Sequence, residues 1–291
     1  MKKILICVAL LVGFSVQGFA TPVLERSDFS KKLQKAAGKQ GEFVVGKDKF
    51  PKSYFLVHQN LPYLVGLSLY HPKSSTLGLS KKQINEIIAI KKSTVPAVIK
   101  KAQDIKLLEL KLAQNIAIDV NTPQSQYEIV DAIAKLKTEL TKAHLKCINA
   151  VRAVLTKKQY KTLLSYATKM GFKEKNNKFK IEEIVFLPHP GKFIKMGKIK
   201  ATKDQKEKIT TEVKAVYAPI FQGKIREAFE LEKKVQRMVS KGKTKKDTKD
   251  LLDKISKLKR EAIDSRIDAL NHIKKILTPE QWKKINKLTY K

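Results

Sequence analysis

A long internal repeat is the feature that most constrains how this chain can fold. A shift of 122 residues aligns positions 131–163 with 253–285, and 11 of the 33 aligned pairs are identical. The same shift aligns Gln83 with Gln205. We therefore expect one structural unit to be present twice, in an ungapped register, with each copy burying its apolar face against a neighbour.

Apolar residues within each copy recur every three or four positions, which is the spacing of amphipathic α-helices. Pro96 and Pro219 interrupt this pattern and should end or kink the first helix of each copy, near Val95 in the first one. A second helix runs to about Ile118 in the first copy, and a long third helix follows with an apolar stripe from Ile129 to Val154. The predicted fold is therefore all-α, with two tandem four-helix units whose long antiparallel helices need a partner surface.

The first residues have the pattern of a cleaved secretory signal. Lys2 and Lys3 precede an apolar run over 4–16, and small residues lead up to Ala20. The run is too short to span a bilayer, so we expect a periplasmic protein that does not cross the membrane after cleavage. Removing the signal lowers the net charge from +34 to +32 and leaves one cysteine, Cys147, which excludes an internal disulfide.

Composition divides the chain further. The region before the first repeat contains glycine and proline without a clear period, and a similar shorter segment separates the repeats. Apolar patches at 54–57 and 63–65 fit either short strands or a packed leader. The predicted segments are 1–20 for the signal peptide, 21–76 for an irregular leader, 77–172 for the first repeat, 173–200 for a linker and 201–291 for the second repeat.

Four similar pentapeptides, here called boxes, mark the predicted start of the first and last helix of each copy. Each has Ser or Thr at the N-cap, which can accept from the N3 amide, and Gln at N3, which can reach back to the N-cap amide. A preceding Leu can pack on the N4 residue, and Ala201 replaces it in the third box. The predicted motif residues are Leu79, Ser80, Gln83, Leu155, Thr156, Gln159, Thr202, Gln205, Leu277, Thr278 and Gln281.

These paired boxes, the export signal and the proline-interrupted first helical stretch resemble the LTxxQ-motif family of periplasmic proteins, which includes Spy-like and CpxP-like members. The resemblance covers about 77–170 and 201–291. It implies an all-α unit of four helices and a curved, cradle-shaped dimer whose concave face binds unfolded proteins without ATP. Family members usually carry one unit, so two units in one chain imply a covalent pseudo-dimer.

The basic excess of the chain is almost wholly lysine. Specific nucleic-acid recognition favours the bidentate arginine side chain, so we expect no specific nucleic-acid partner. Lysines should attract acidic surfaces over about 8 Å at physiological salt, and a solvated coat on every helix is the alternative interpretation. The predicted client contacts flank the long apolar stripe in both copies: Lys135, Lys137, Lys257 and Lys259.

The sequence contains no phosphate loop, nucleophile elbow or HExxH motif, so we expect no enzyme activity and no cofactor. His71 and His189 each precede a proline before a first box, but no cluster with metal-ligand spacing accompanies them. The pattern favours an ATP-independent periplasmic chaperone or envelope-stress protein that binds unfolded or partly folded envelope proteins, acidic ones preferentially. The alternatives are a regulatory adaptor that docks on a membrane sensor's periplasmic domain, and a metal-responsive sensor.

Overall fold

A computed structural model of the chain describes residues 56–57, 61–118, 123–167, 187–243 and 245–289. The predicted signal peptide and most of the leader lie outside these residues. The described part is helical and contains no β-strand, which confirms the all-α prediction. The apolar patch at 63–65, which the sequence left open, belongs mainly to a short helix.

The helices are numbered in chain order. The first unit contains α2 (Lys81–Ile118), α3 (Pro123–Val154) and α4 (Lys157–Ala167), preceded by α1 (Leu64–Leu69) and a 3₁₀ turn (Ser74–Leu77). The second unit contains α6 (Lys203–Lys208), a π-helical turn (Ile209–Lys214), α7 (Ala215–Ser240), α8 (Lys245–Ile276) and α9 (Pro279–Thr289), preceded by α5 (Pro190–Lys195). The shift of 122 residues relates the ends of α3 to those of α8, and the ends of α4 to those of α9.

Helix α2 continues through Pro96, so the helix end predicted near Val95 is wrong. Proline in a helix interior costs about 3 kcal/mol. Beyond Pro96 the same helix buries Ile105, Leu112 and Ile116 in the core. Burial of each large apolar side chain contributes about 1.5–3 kcal/mol, which offsets the cost of the proline. Each unit consequently has three main helical stretches where the sequence predicted four helices.

Between its first box and Glu232 the second unit contains one residue more than the first unit has between its first box and Glu109. Pro219 lies inside α7 and follows Pro96 by 123 residues, and Glu232 follows Glu109 by the same number. The π-helical turn before α7 accommodates the added residue, because a π turn holds one residue more than an α turn. Helix α7 ends at Ser240, one equivalent position before the end of α2 at Ile118, and the shift of 122 is restored at α8. The expected ungapped register is therefore wrong within this stretch.

The long helices α3 and α8 pack against each other, while α2 packs on α3 and α7 packs on α8. Asp131, early in α3, contacts Arg260, whereas Lys142, later in α3, contacts Asp253, so the two helices run antiparallel. Asp131 and Asp253 are equivalent residues of the two units. Each unit therefore presents the same acidic residue to the other across their contact.

Two hydrophobic cores lie along this contact, and each contains residues of both units. One core joins Ile133 of α3 to Ile267 of α8. The other joins Ile148 of α3 to Ile255 of α8. The apolar stripes of the long helices therefore face each other and are buried between the units, which is the partner surface that long amphipathic helices require.

The segments that precede each unit pack on these cores and are related to each other. The pairs Leu61–Pro62 and Leu187–Pro188 are buried. The carbonyl oxygen of Pro62 lies 3.3 Å from His144 Nε2, and that of Pro188 accepts a hydrogen bond from Arg266 at 3.2 Å. Arg266 follows His144 by 122 residues. The repeat thus begins before the first box, within the predicted leader and linker.

Candidate client-binding surface

All four boxes have the hydrogen bonds of a helix cap. In each, the N3 amide donates to the N-cap hydroxyl and the N-cap amide donates to the N3 glutamine, at 2.8 to 3.3 Å. Leu155 and Leu277 are buried, as are their N4 neighbours Tyr160 and Trp282. The boxes begin α2, α4, α6 and α9, so they set where the first and last helices of each unit start.

The glutamines of the two boxes in one unit also contact each other. Gln83 Nε2 donates to Gln159 Oε1 and to the carbonyl oxygen of Val154, both at 2.9 Å. Gln205 and Gln281 form the same pair at 3.0 Å. The pair joins the start of the first and last helices to the end of the long helix. Glutamate could close the cap but could not donate these bonds, which explains why every box carries glutamine.

The four lysines predicted to contact clients lie on two different faces of the long helices. Lys135 and Lys257 are exposed. Lys137 and Lys259 are buried, with 1% and 5% of their surface exposed, so the prediction that they contact clients is wrong. Successive residues of an α-helix are about 100° apart, so Lys137 lies about 200° around the helix from Lys135. A spacing of two residues could not place both on one surface.

Each buried lysine pairs with a glutamate on the neighbouring helix of its own unit, which is α2 in the first unit and α7 in the second. Lys137 Nζ lies 2.8 Å from Glu109 Oε1, and Lys259 pairs with Glu232. Burial lowers the pKa of Lys137, Glu109 opposes this change, and the nearby Lys259 lowers the pKa further. With all four groups ionised the charges cancel, and removing any one of them leaves an uncompensated charge in the interior.

The face that carries Lys135 and Lys257 has charges of both signs. Lys101 pairs with Glu139, and their equivalents pair in the second unit. Lys257 Nζ lies 4.0 Å from Glu261 Oε1. Exposed pairs of this kind contribute about 0–1 kcal/mol to stability. Their acidic partners also offset the positive charge, so this face attracts anionic groups only weakly.

A more basic surface, here called the box end, lies where the two boxes of the first unit meet. The first two positions of α2 and α4 are occupied by exposed lysines: Lys81, Lys82, Lys157 and Lys158. Helix N-termini are themselves positive, so these lysines add to the local charge at some cost in stability. The equivalent positions of the second unit are less basic: Lys203, Asp204, Pro279 and Glu280. Paired lysines directly after an N-cap were the sequence signal for this surface.

The surroundings of His71, His189 and Cys147 bear on the alternative of a metal-responsive sensor. His71 stacks on Tyr166, with ring centroids 4.8 Å apart. His189 lies beside Arg266, and burial together with that charge lowers the pKa of His189 to about 4. Burial raises the pKa of the Cys147 thiol to about 11. Among the residues that the structure describes, no three His, Cys, Asp or Glu side chains are grouped to hold a metal ion.

No family model, curated protein or solved structure matches this chain. The resemblance to the LTxxQ-motif family therefore stays a hypothesis that rests on the boxes and on the glutamine pairs. No helix in the described ranges is both long enough and apolar enough to cross a membrane.

Proposed function

We propose that this chain is a two-unit LTxxQ-type protein of the periplasm that binds unfolded or partly folded proteins without ATP and catalyses no reaction. In this proposal the units form a pseudo-dimer, and the four long helical stretches form a shallow cradle. The glutamine pair found in each unit supports two equivalent LTxxQ-type units, and the burial of both apolar stripes between the units supports the pseudo-dimer.

The observation that carries the proposal is the concentration of exposed lysine at the box end. Four lysines at two adjoining helix starts create a positive potential, which attracts acidic segments and raises their association rate. The apolar stripes of α3 and α8 pack against each other, so they are not exposed to a client. Large exposed apolar side chains in the described part of the chain are few and spread over separate elements: Tyr70, Leu107, Met196, Val216 and Ile220.

The test is stopped-flow association of residues 21–291 with an unfolded acidic protein in the absence of nucleotide. Replacing the four box-end lysines by Gln should slow association about three- to tenfold. A matched variant removes the same charge from the long helices and should change the rate by less than about twofold. Its four positions are exposed lysines: Lys135, Lys146, Lys249 and Lys257.

Salt provides the control for the electrostatic argument. Between about 0.1 and 1 M NaCl the screening length falls from about 10 to about 3 Å, so the difference between the two variants should disappear. Equal association rates for both variants at low salt would show that the box end does not attract clients. Tight binding to one folded sensor domain, without binding to unfolded proteins, would favour the regulatory adaptor.

A further inference from the structure

One short segment of the leader lies at the centre of the molecule, where the two units meet. Leu56 and Val57 are buried, with 1% and 0% of their surface exposed. The Leu56 amide donates to Thr141 Oγ1 of α3 at 2.8 Å, and the Leu56 carbonyl oxygen accepts from Lys259 Nζ of α8 at 2.6 Å. Both units therefore hold this segment, beside the buried ion pairs.

The polar contacts of the segment go to its backbone. The Thr141 hydroxyl donates to the Lys137 carbonyl oxygen at 3.0 Å, so its oxygen is left to accept from an incoming amide. The Lys259 ammonium has Glu232 as one acceptor and the Leu56 carbonyl oxygen as another. Backbone groups are common to all polypeptides, so such a site recognises the main chain and selects apolar side chains by burying them.

Among the described residues, the hydroxyl group of this site occurs in one unit only. Ile263 stands at the position equivalent to Thr141, so the second unit has no hydroxyl there. A segment that only filled space would need apolar contacts alone. Here, removing the segment would leave the Lys259 ammonium with one acceptor fewer in the interior, which favours occupation by another backbone carbonyl.

We propose that this central site binds peptides, that the chain's own Leu56–Val57 segment occupies it when no client is bound, and that a client displaces this segment. The client would contribute two adjacent apolar residues in a non-helical conformation with accessible amide and carbonyl groups. The inference rests on the proposed function and gives it the apolar site that the buried stripes do not provide. A tethered segment competes at an effective concentration of about millimolar, which weakens apparent binding in trans.

The experiment uses the full mature chain and a fluorescein-labelled peptide with the sequence of residues 53–60. The Leu56→Gly/Val57→Gly chain should bind this peptide stoichiometrically and about tenfold or more tightly than the wild-type chain in fluorescence anisotropy. A peptide with Asp at both apolar positions should not bind. In the glycine chain, Thr141→Val should weaken binding about fivefold. Thr138→Val removes a nearby buried hydroxyl that bonds to Ser256 instead, and should leave binding unchanged.

Hydrogen exchange in the wild-type chain provides a second measurement if the glycine chain loses helicity. Excess peptide should accelerate exchange of the Leu56 amide and leave that of Ile133 unchanged. Equal affinity of both chains, binding that Thr141→Val does not alter, or a Leu56 amide that the peptide does not affect would overturn the inference.

Aggregation of an unfolded acidic protein separates this inference from the proposed function. Suppression of aggregation by a chain whose central site binds no peptide would overturn the inference and leave the proposed function standing. Peptide binding without any suppression would support the site and overturn the chaperone function.

Discussion

The two units meet the same packing requirement with helices of different internal structure. In the first unit α2 is continuous, whereas in the second the equivalent stretch consists of α6, the π turn and α7. The buried pairs Lys137–Glu109 and Lys259–Glu232 are nevertheless equivalent. An added residue in a regular α-helix would rotate everything beyond it by about 100° and turn Glu232 away from Lys259. The duplicated scaffold therefore retains the buried ion pair, and the conformation of the surrounding helix differs between the units.

Removing one partner of a buried ion pair should have the largest effect on the free energy of unfolding. Lys137→Met and Lys259→Met should each lower the free energy of unfolding by about 3–5 kcal/mol, because a glutamate stays buried without its counter-ion. Urea denaturation followed by circular dichroism measures this. The double variants Glu109→Leu/Lys137→Met and Glu232→Leu/Lys259→Met should recover most of the loss. Double variants as unstable as the single ones would show that the loss does not come from an unpaired buried glutamate, and unequal losses in the two units would contradict the equivalence of the pairs.

The pH dependence of the free energy of unfolding should differ between the units, because His144 of the first unit is replaced by Arg266 in the second. Burial lowers the pKa of His144 from its ordinary value to about 4, so the folded chain resists protonation. Its contribution to stability is complete above about pH 6.5 and is lost as the pH falls towards 4, with about 2 kcal/mol lost at pH 5. Arg266 does not titrate in this range. Urea denaturation at about pH 7 and pH 5 should show that His144→Gln removes this part of the acid sensitivity, and an unchanged pH dependence would refute it.

Replacing one glutamine of a pair by glutamate should lower the free energy of unfolding by a similar amount in both units. Gln159→Glu and Gln281→Glu retain the acceptor needed for the helix cap but lose the amide donor to the partner box. Each should therefore lower the free energy of unfolding by about 1–2 kcal/mol, measured at high salt to screen the new charge. Gln→Ala at the same positions also removes the cap acceptor and should cost more. A neutral effect of Gln→Glu would mean that capping alone selects glutamine.

Deleting a residue from the π turn should have the smallest effect on the free energy of unfolding. Removal of the exposed Thr211 should convert the turn to α-helix and keep α7 in phase with the core, so the free energy of unfolding should change by less than about 1 kcal/mol. Removal of the exposed Ala89 from α2 is the matched control. It should rotate Glu109 away from Lys137 and destabilise the chain as strongly as loss of that ion pair. Equal effects of the two deletions would show that the π turn does not hold the insertion.

Much of the fold was predictable because its causes are local. The three- and four-residue apolar spacing predicted an all-α chain, which the structure confirms over the described residues. The starts of α4 at Lys157 and α9 at Pro279 follow the predicted boxes, since a helix cap depends on residues within one turn. The site was predicted less well. Lys135 and Lys137 were assigned to one surface, although helix geometry places residues two positions apart on nearly opposite faces.

The duplication, the helical class and the residues that begin the helices could be predicted from the sequence, because they depend on neighbours within a few positions along the chain. Three further features depend on tertiary contacts: α2 continues through Pro96, Gln83 pairs with Gln159, and Lys259 donates a hydrogen bond to the Leu56 carbonyl oxygen. Each of these outcomes depends on groups that are distant in sequence and adjacent in the core. Burial and ion pairing there contribute more free energy than the local propensities that they override.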